Sequence, residues 1–140
     1  HLTVAPASTA GTLLRISPLQ MVLAAATLNN EGVRPAPRLA MALATPIQGW
    51  IVLPALGEPK TVFSAISAAE ITRSLMVSTK PFWQWNALAS QNPQTVTWSL
   101  GGTLPSWQGP PLVVVVLLEE NDPNLAGWMG QTLLEIGTHP

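Results

Sequence analysis

Cysteine is absent from these 140 residues, which excludes disulfides and thiolate metal sites without choosing a compartment. Charge is scarce: 9% of the chain is charged, against about a quarter in ordinary globular proteins. The net charge is −1, and Arg15, Arg34, Arg38 and Arg73 are scattered, so no basic face for nucleic acid is expected. There is no apolar run of about 18 residues, so no membrane-spanning helix is expected in this chain. Tyrosine is missing too, although there are six tryptophans. The chain opens on His1, with no methionine and no signal-like segment, which points to an excised or processed part of a longer protein.

What is present is strongly punctuated. Ser17 can cap a helix, Pro18 suits its first position, and Gln20 can return a hydrogen bond to the cap, which completes a capping box. Ile16 and Met21 can staple that start, and Gly32 can end the helix in the left-handed region. The prolines at 35 and 37 then hold the chain extended. These marks predict a helix over about 18–31. Ser67 and Glu70 form a second box, stapled by Ile66 and Ile71, for a helix running to about Ser78 and stopped by Pro81. A third helix starts from Asp122 and Pro123, places Leu125, Trp128, Met129, Leu133 and Ile136 on one broad face, and ends at Gly137.

Val96, Trp98 and Leu100 alternate with Thr95, Thr97 and Ser99, the period of a strand. Leu112 to Leu118 is apolar throughout, so that strand must be covered on both faces. Leu39–Leu43 and Trp50–Leu53 form a weaker hairpin pair around Pro46 to Gly49. The 14 prolines cluster at 35–59 and 105–111 and mark stiff loops. The pattern predicts an α+β fold, an antiparallel β-sheet packed between helices, as a single domain over 1–140 with 1–12 as a flexible leader.

Candidates for chemistry are few. His1 and His139 sit at the ends, and the cluster Glu119, Glu120 and Asp122 is explained by capping and solvation, so neither catalytic residues nor a metal or other cofactor are expected. Gly101 and Gly102 precede Thr103, Leu104 and Pro105 rather than a helix, so they do not make a phosphate cradle. Trp83, Trp85 and Trp107 fall in segments read as loop or short helix. Tryptophan favours interfaces because a large apolar body carries one polar tip, so these three are the candidate contact surface; the alternative is that they finish the core.

The order Ser17-Pro18-Leu19-Gln20, a small-residue helix, Asn30-Glu31-Gly32-Val33, then Arg34-Pro35 and Leu39 resembles a segment of the transpeptidase domain of penicillin-binding proteins. The segment it resembles follows the first two active-site motifs. QTVTWSLGGTLPSWQGPPLVVVVLLEEN at 94–121 resembles that domain's last antiparallel strand pair, and ENDPNLAGWMGQTLLEIG at 120–137 its closing helix. The resemblance implies the C-terminal part of a serine D,D-transpeptidase or β-lactamase-like domain in the bacterial cell envelope, outside the cytoplasm. It also implies partners in the peptidoglycan machinery and an anchor or export signal upstream.

The family carries Ser-x-x-Lys, Ser-x-Asn and Lys-Thr-Gly. Three places before Lys60 and Lys80 stand Gly57 and Val77, so the first is absent. Ser90-Gln91-Asn92 spells the second but comes after the helix it should precede, and reads as a loop. Lys60-Thr61 is followed by Val62, and where the third motif's strand is expected the chain reads FWQWNALASQNP at 82–93. The expectation is therefore a non-catalytic transpeptidase-like module, a scaffold or interaction part of a cell-wall protein. In it Phe82, Trp83 and Trp85 replace the edge of the substrate groove. The alternative is the C-terminal half of an active enzyme whose nucleophile lies upstream.

Overall fold

The computed structural model describes residues 2–4, 14–38, 40–91 and 94–139. Strand β1 (Leu2–Val4) pairs antiparallel with β2 (Leu14–Ile16), so the segment expected as a flexible leader contributes a strand; its residues 1 and 5–12 lie outside the described residues. Helix α1 (Pro18–Asn29) starts with the expected box: Ser17 Oγ accepts from the Gln20 N–H at 3.3 Å, and Gln20 Oε1 accepts from the Ser17 N–H at 2.8 Å. Gly32 has φ +84°, and a Cβ there would lie 2.2 Å from the Phe63 carbonyl oxygen, so glycine is required twice over.

After Gly32, β3 (Val33–Arg34) leads to the hairpin of β4 (Ala42–Thr45) and β5 (Gly49–Val52), and β6 (Lys60–Thr61) returns to pair with β3. Helix α2 (Ala65–Ser74) is capped by Ser64, whose Oγ accepts from the Ser67 N–H at 3.1 Å. The cap thus sits one turn before the expected Ser67, because Ser67 bonds back to Ser64, Oγ to Oγ at 2.9 Å, from inside the first turn. The helix also stops earlier than Ser78, since Leu75 to Val77 are drawn into pairing with the sheet.

The main sheet is β7 (Phe82–Gln91), β8 (Gln94–Thr103) and β9 (Val113–Leu118), antiparallel in that order. β7 corrects the expectation of loop or short helix around Trp83 and Trp85. Of Ser90-Gln91-Asn92, the first two residues end β7, and Asn92 lies outside the described residues. Helix α3 (Pro123–Gly137) closes the chain, with Asp122 Oδ1 accepting from the Leu125 N–H at 2.8 Å. α1 covers one face of the sheet and α3 the other, which is the expected α+β sandwich. On the α1 side Trp83, Val96, Trp98 and Leu100 form the core with Ala25.

The α3 side is built differently. Gln84 Nε2 donates to Ser99 Oγ at 2.9 Å and to the Gly127 carbonyl at 2.7 Å, so a polar bridge joins β7, β8 and the helix. That bridge and the Gly101 backbone demand close approach, and α3 meets them with Ala126, Gly127, Gly130 and Leu134, all buried. The expected inner face is therefore corrected: Leu125, Trp128, Leu133 and Ile136 are exposed on the outer side. A Cβ at Gly130 would lie 2.5 Å from Ser99 Oγ and 3.0 Å from Gln84 Nε2. Gly130→Val should therefore destabilise the fold by about 1–3 kcal/mol, whereas Trp128→Gln should change stability by less than about 0.5 kcal/mol. Urea midpoints of the two variants check this, and equal shifts would show that the helix face is assigned wrongly.

Candidate functional site

The candidate groove strand is the first half of β7. Trp83 points to the α1 side with 1% of its surface exposed, and its Nε1 donates to Asn29 Oδ1 at 2.8 Å. Asn29 Nδ2 in turn donates to Thr103 Oγ1 at 3.1 Å and to the Leu112 carbonyl at 3.0 Å, and Thr103 Oγ1 also accepts from the Leu112 N–H at 3.1 Å. One asparagine at the end of α1 thus locks β7, the end of β8 and the start of β9. It fits because the residue opposite Trp83 on β8 is Gly102, where a Cβ would fall 2.4 Å from Asn29 Oδ1.

The outward backbone edge of this half-strand is occupied by the chain itself. The Val77 N–H donates to the Phe82 carbonyl at 3.2 Å and the Gln84 N–H to the Leu75 carbonyl at 3.1 Å, with Met76 bridged to Trp83. An extended ligand that adds to a sheet edge needs those same groups. Lys80, just before β7, pairs with Glu135 of α3 at 2.7 Å. The Glu135 carboxyl is held below its usual range by hydrogen bonds from Gln131 and then from Lys80.

The three tryptophans expected as a contact surface are thus separated. Trp83 is a core residue, a correction that follows from the alternation of β7, in which Trp83 and Gln84 face opposite sides. Trp85 shares Trp83's side of the sheet but is 45% exposed. Trp107 folds back on the loop between β8 and β9: its Nε1 donates to the Pro110 carbonyl at 3.1 Å and its ring lies against Gly109. It walls a cavity of about 280 Å³ with Asn29, Glu31 and Thr103. A larger cavity of about 490 Å³ lies between α1 and α2, lined by Leu23, Thr27, Phe63 and Ile71 with Gln20 and Arg34 among its polar walls. The lock at Asn29 was not legible in the sequence, because an asparagine one residue before another at a helix end reads as a cap.

Asn29→Ala should cost about 2–4 kcal/mol, because it leaves the buried Trp83 indole N–H and the Leu112 carbonyl with a partner fewer. Trp85→Ala should cost less, since that ring is half in water. Chemical denaturation measures both, and a smaller loss for the asparagine than for Trp85 would refute the lock.

No protein-family model and no curated protein sequence matches the chain. Solved structures do. The chain superposes on penicillin-binding protein 3 of Mycobacterium tuberculosis with a TM-score of 0.72 and 17% identity, over 99% of this chain and 42% of that one. The same protein complexed with aztreonam gives 0.70 at 17% identity, over 99% and 41%. A peptidoglycan synthetase from Bifidobacterium adolescentis gives 0.58 at 20% identity, over 88% of this chain and 26% of that one. The chain therefore spans less than half the length of each of these structures, and what it shares with them is the fold of part of a penicillin-binding transpeptidase domain.

Proposed function

We propose that this chain is a non-catalytic transpeptidase-like module that serves as a scaffold or interaction part of a peptidoglycan-assembly protein in the bacterial envelope. The observation that carries the reading is the state of β7. At the place where the family would carry Lys-Thr-Gly on a bare strand edge, the chain has Phe82-Trp83-Gln84, with the tryptophan inside the core and the outward edge bonded to Leu75 and Val77. Architecture alone does not license the family's reaction, because activity resides in the site residues. Several serine hydroxyls do structural work: Ser17 and Ser64 cap helices, Ser67 bonds to Ser64, Ser74 donates to the Ile71 carbonyl at 2.8 Å, and Ser99 accepts from Gln84.

A second reading, the C-terminal half of an active serine D,D-transpeptidase, is favoured by one feature. The outer edge of β9 pairs with no strand among the described residues, and it is the aliphatic run Val113 to Leu118, without the charge or proline that usually protects an edge. Such an edge suits a larger sheet. Under either reading this chain by itself should form no covalent adduct with a labelled penicillin when its intact mass is measured, because acylation needs an activated serine. A stoichiometric adduct mapped to one serine would overturn the non-catalytic reading. Adduct formation by the parent protein alone would favour the second.

A further inference from the structure

We propose that the β4–β5 hairpin is a membrane-surface contact, which enters the interfacial layer of an anionic bilayer while a collar of cations at its stem meets the phosphates. The hairpin packs substantially on no other element among the described residues. Both its faces are apolar and wet. Leu43 lies opposite Ile51 on one face, 55% and 36% exposed. On the other face Trp50 lies opposite Ala44 and Val52 opposite Ala42, with the tryptophan 76% and the valine 75% exposed. Ile47 at the tip is 95% exposed. An isolated two-stranded ribbon is marginal in water, so these side chains call for an occupant.

Charge says which occupant. From Leu39 to Gly57 the chain has no charged residue, and immediately outside that run stand Arg34, Arg38 and Lys60 against Glu58 alone. The rest of the chain is net acidic. Arg34 and Lys60 are paired directly across β3 and β6, both exposed, and neither makes an ion pair among the described residues. Like charges opposite one another on a ribbon repel, and an anion between them removes that cost. An uncharged apolar arm above a cationic stem is the polarity of an interfacial membrane contact, with Trp50 suited to the headgroup boundary. A second copy pairing edge to edge would leave both apolar faces in water. The inference is independent of whether the parent protein is catalytic.

Co-sedimentation with vesicles of phosphatidylglycerol and phosphatidylcholine tests it. Partition should fall about tenfold for Ile47→Asp and for Trp50→Asp, and should fall comparably for the Arg34→Gln, Lys60→Gln pair or in roughly 0.5 M salt. The near-ultraviolet signal of the buried Trp83 and Trp98 should be unchanged in every variant, because the hairpin lies outside the core. No partition into anionic vesicles, or partition that ignores both tip substitutions, would overturn the proposal. So would a dimer in lipid-free sedimentation velocity that Ile47→Asp abolishes, which would assign the hairpin to a second copy.

Discussion

The central strand β8 has no free face, and most of the architecture follows from that. Its even-numbered positions Val96, Trp98 and Leu100 meet α1 through ordinary apolar packing. Its odd-numbered positions Thr97 and Ser99 are buried hydroxyls, which are tolerable only if bonded. Ser99 takes Gln84. Thr97 Oγ1 donates to the Glu120 carbonyl at 2.6 Å and accepts from the Asp122 N–H at 3.2 Å, so the middle of the sheet sets where α3 begins. A polar inner layer of short side chains then requires a helix that can come close, and this is why α3 turns glycine and alanine inward.

Local chemistry was legible wherever it was sufficient to decide the structure. The box at Ser17, the cap at Asp122, the hairpin around Pro46 to Gly49, whose first strand is Ala42–Thr45 rather than Leu39–Leu43, and the covering of the apolar run ending at Leu118 by a helix on each face depend on neighbouring residues or on a single run, and the structure has them. The failures share a cause. In α3 a large apolar stripe conventionally faces the core, but here Gln84 and Ser99, far away in sequence, reserve that space for small residues. In β7 the alternation of Trp83, Trp85 and Ala87 with Gln84, Asn86 and Leu88 is masked because Leu88 interrupts the polar set and Gln84 is bonded to Ser99 and Gly127 rather than left to water. Burial of Trp83 likewise depends on Asn29, 54 residues earlier.

Much of the chain's apolar area lies outside the core, on particular parts of the fold. It lies on the outer side of α3 and over the β4–β5 hairpin, while the core itself is modest and rich in alanine and threonine; β9 adds a backbone edge that pairs with no strand among the described residues. Exposed apolar patches of this extent mark interaction surfaces rather than solvent-facing ones. The three differ in kind. A helix stripe and a bare strand edge suit protein, since only protein can satisfy an edge's backbone groups; a ribbon whose own strands pair, apolar on both sides and ringed by cations, does not need that.

On the reading proposed for this module, the same contacts that stabilise β7 also close the groove. A strand that presents a lysine and holds an extended substrate must keep its outer N–H and C=O groups unpaired in the resting protein, and such bare groups are a standing cost to stability. Here Leu75 and Val77 bond to that edge and Trp83 anchors the strand from behind through Asn29. Writing Lys-Thr-Gly into 82–84 would remove the Trp83 ring from the core, orphan the Asn29 oxygen, and delete the Gln84 bridge to Ser99 and Gly127. Two helices would lose their attachment to the sheet before any groove had formed. Return to a catalytic edge is therefore blocked by packing on both faces at once, and it would take coordinated change at Asn29, Leu75–Val77 and α3 rather than restoration of three residues.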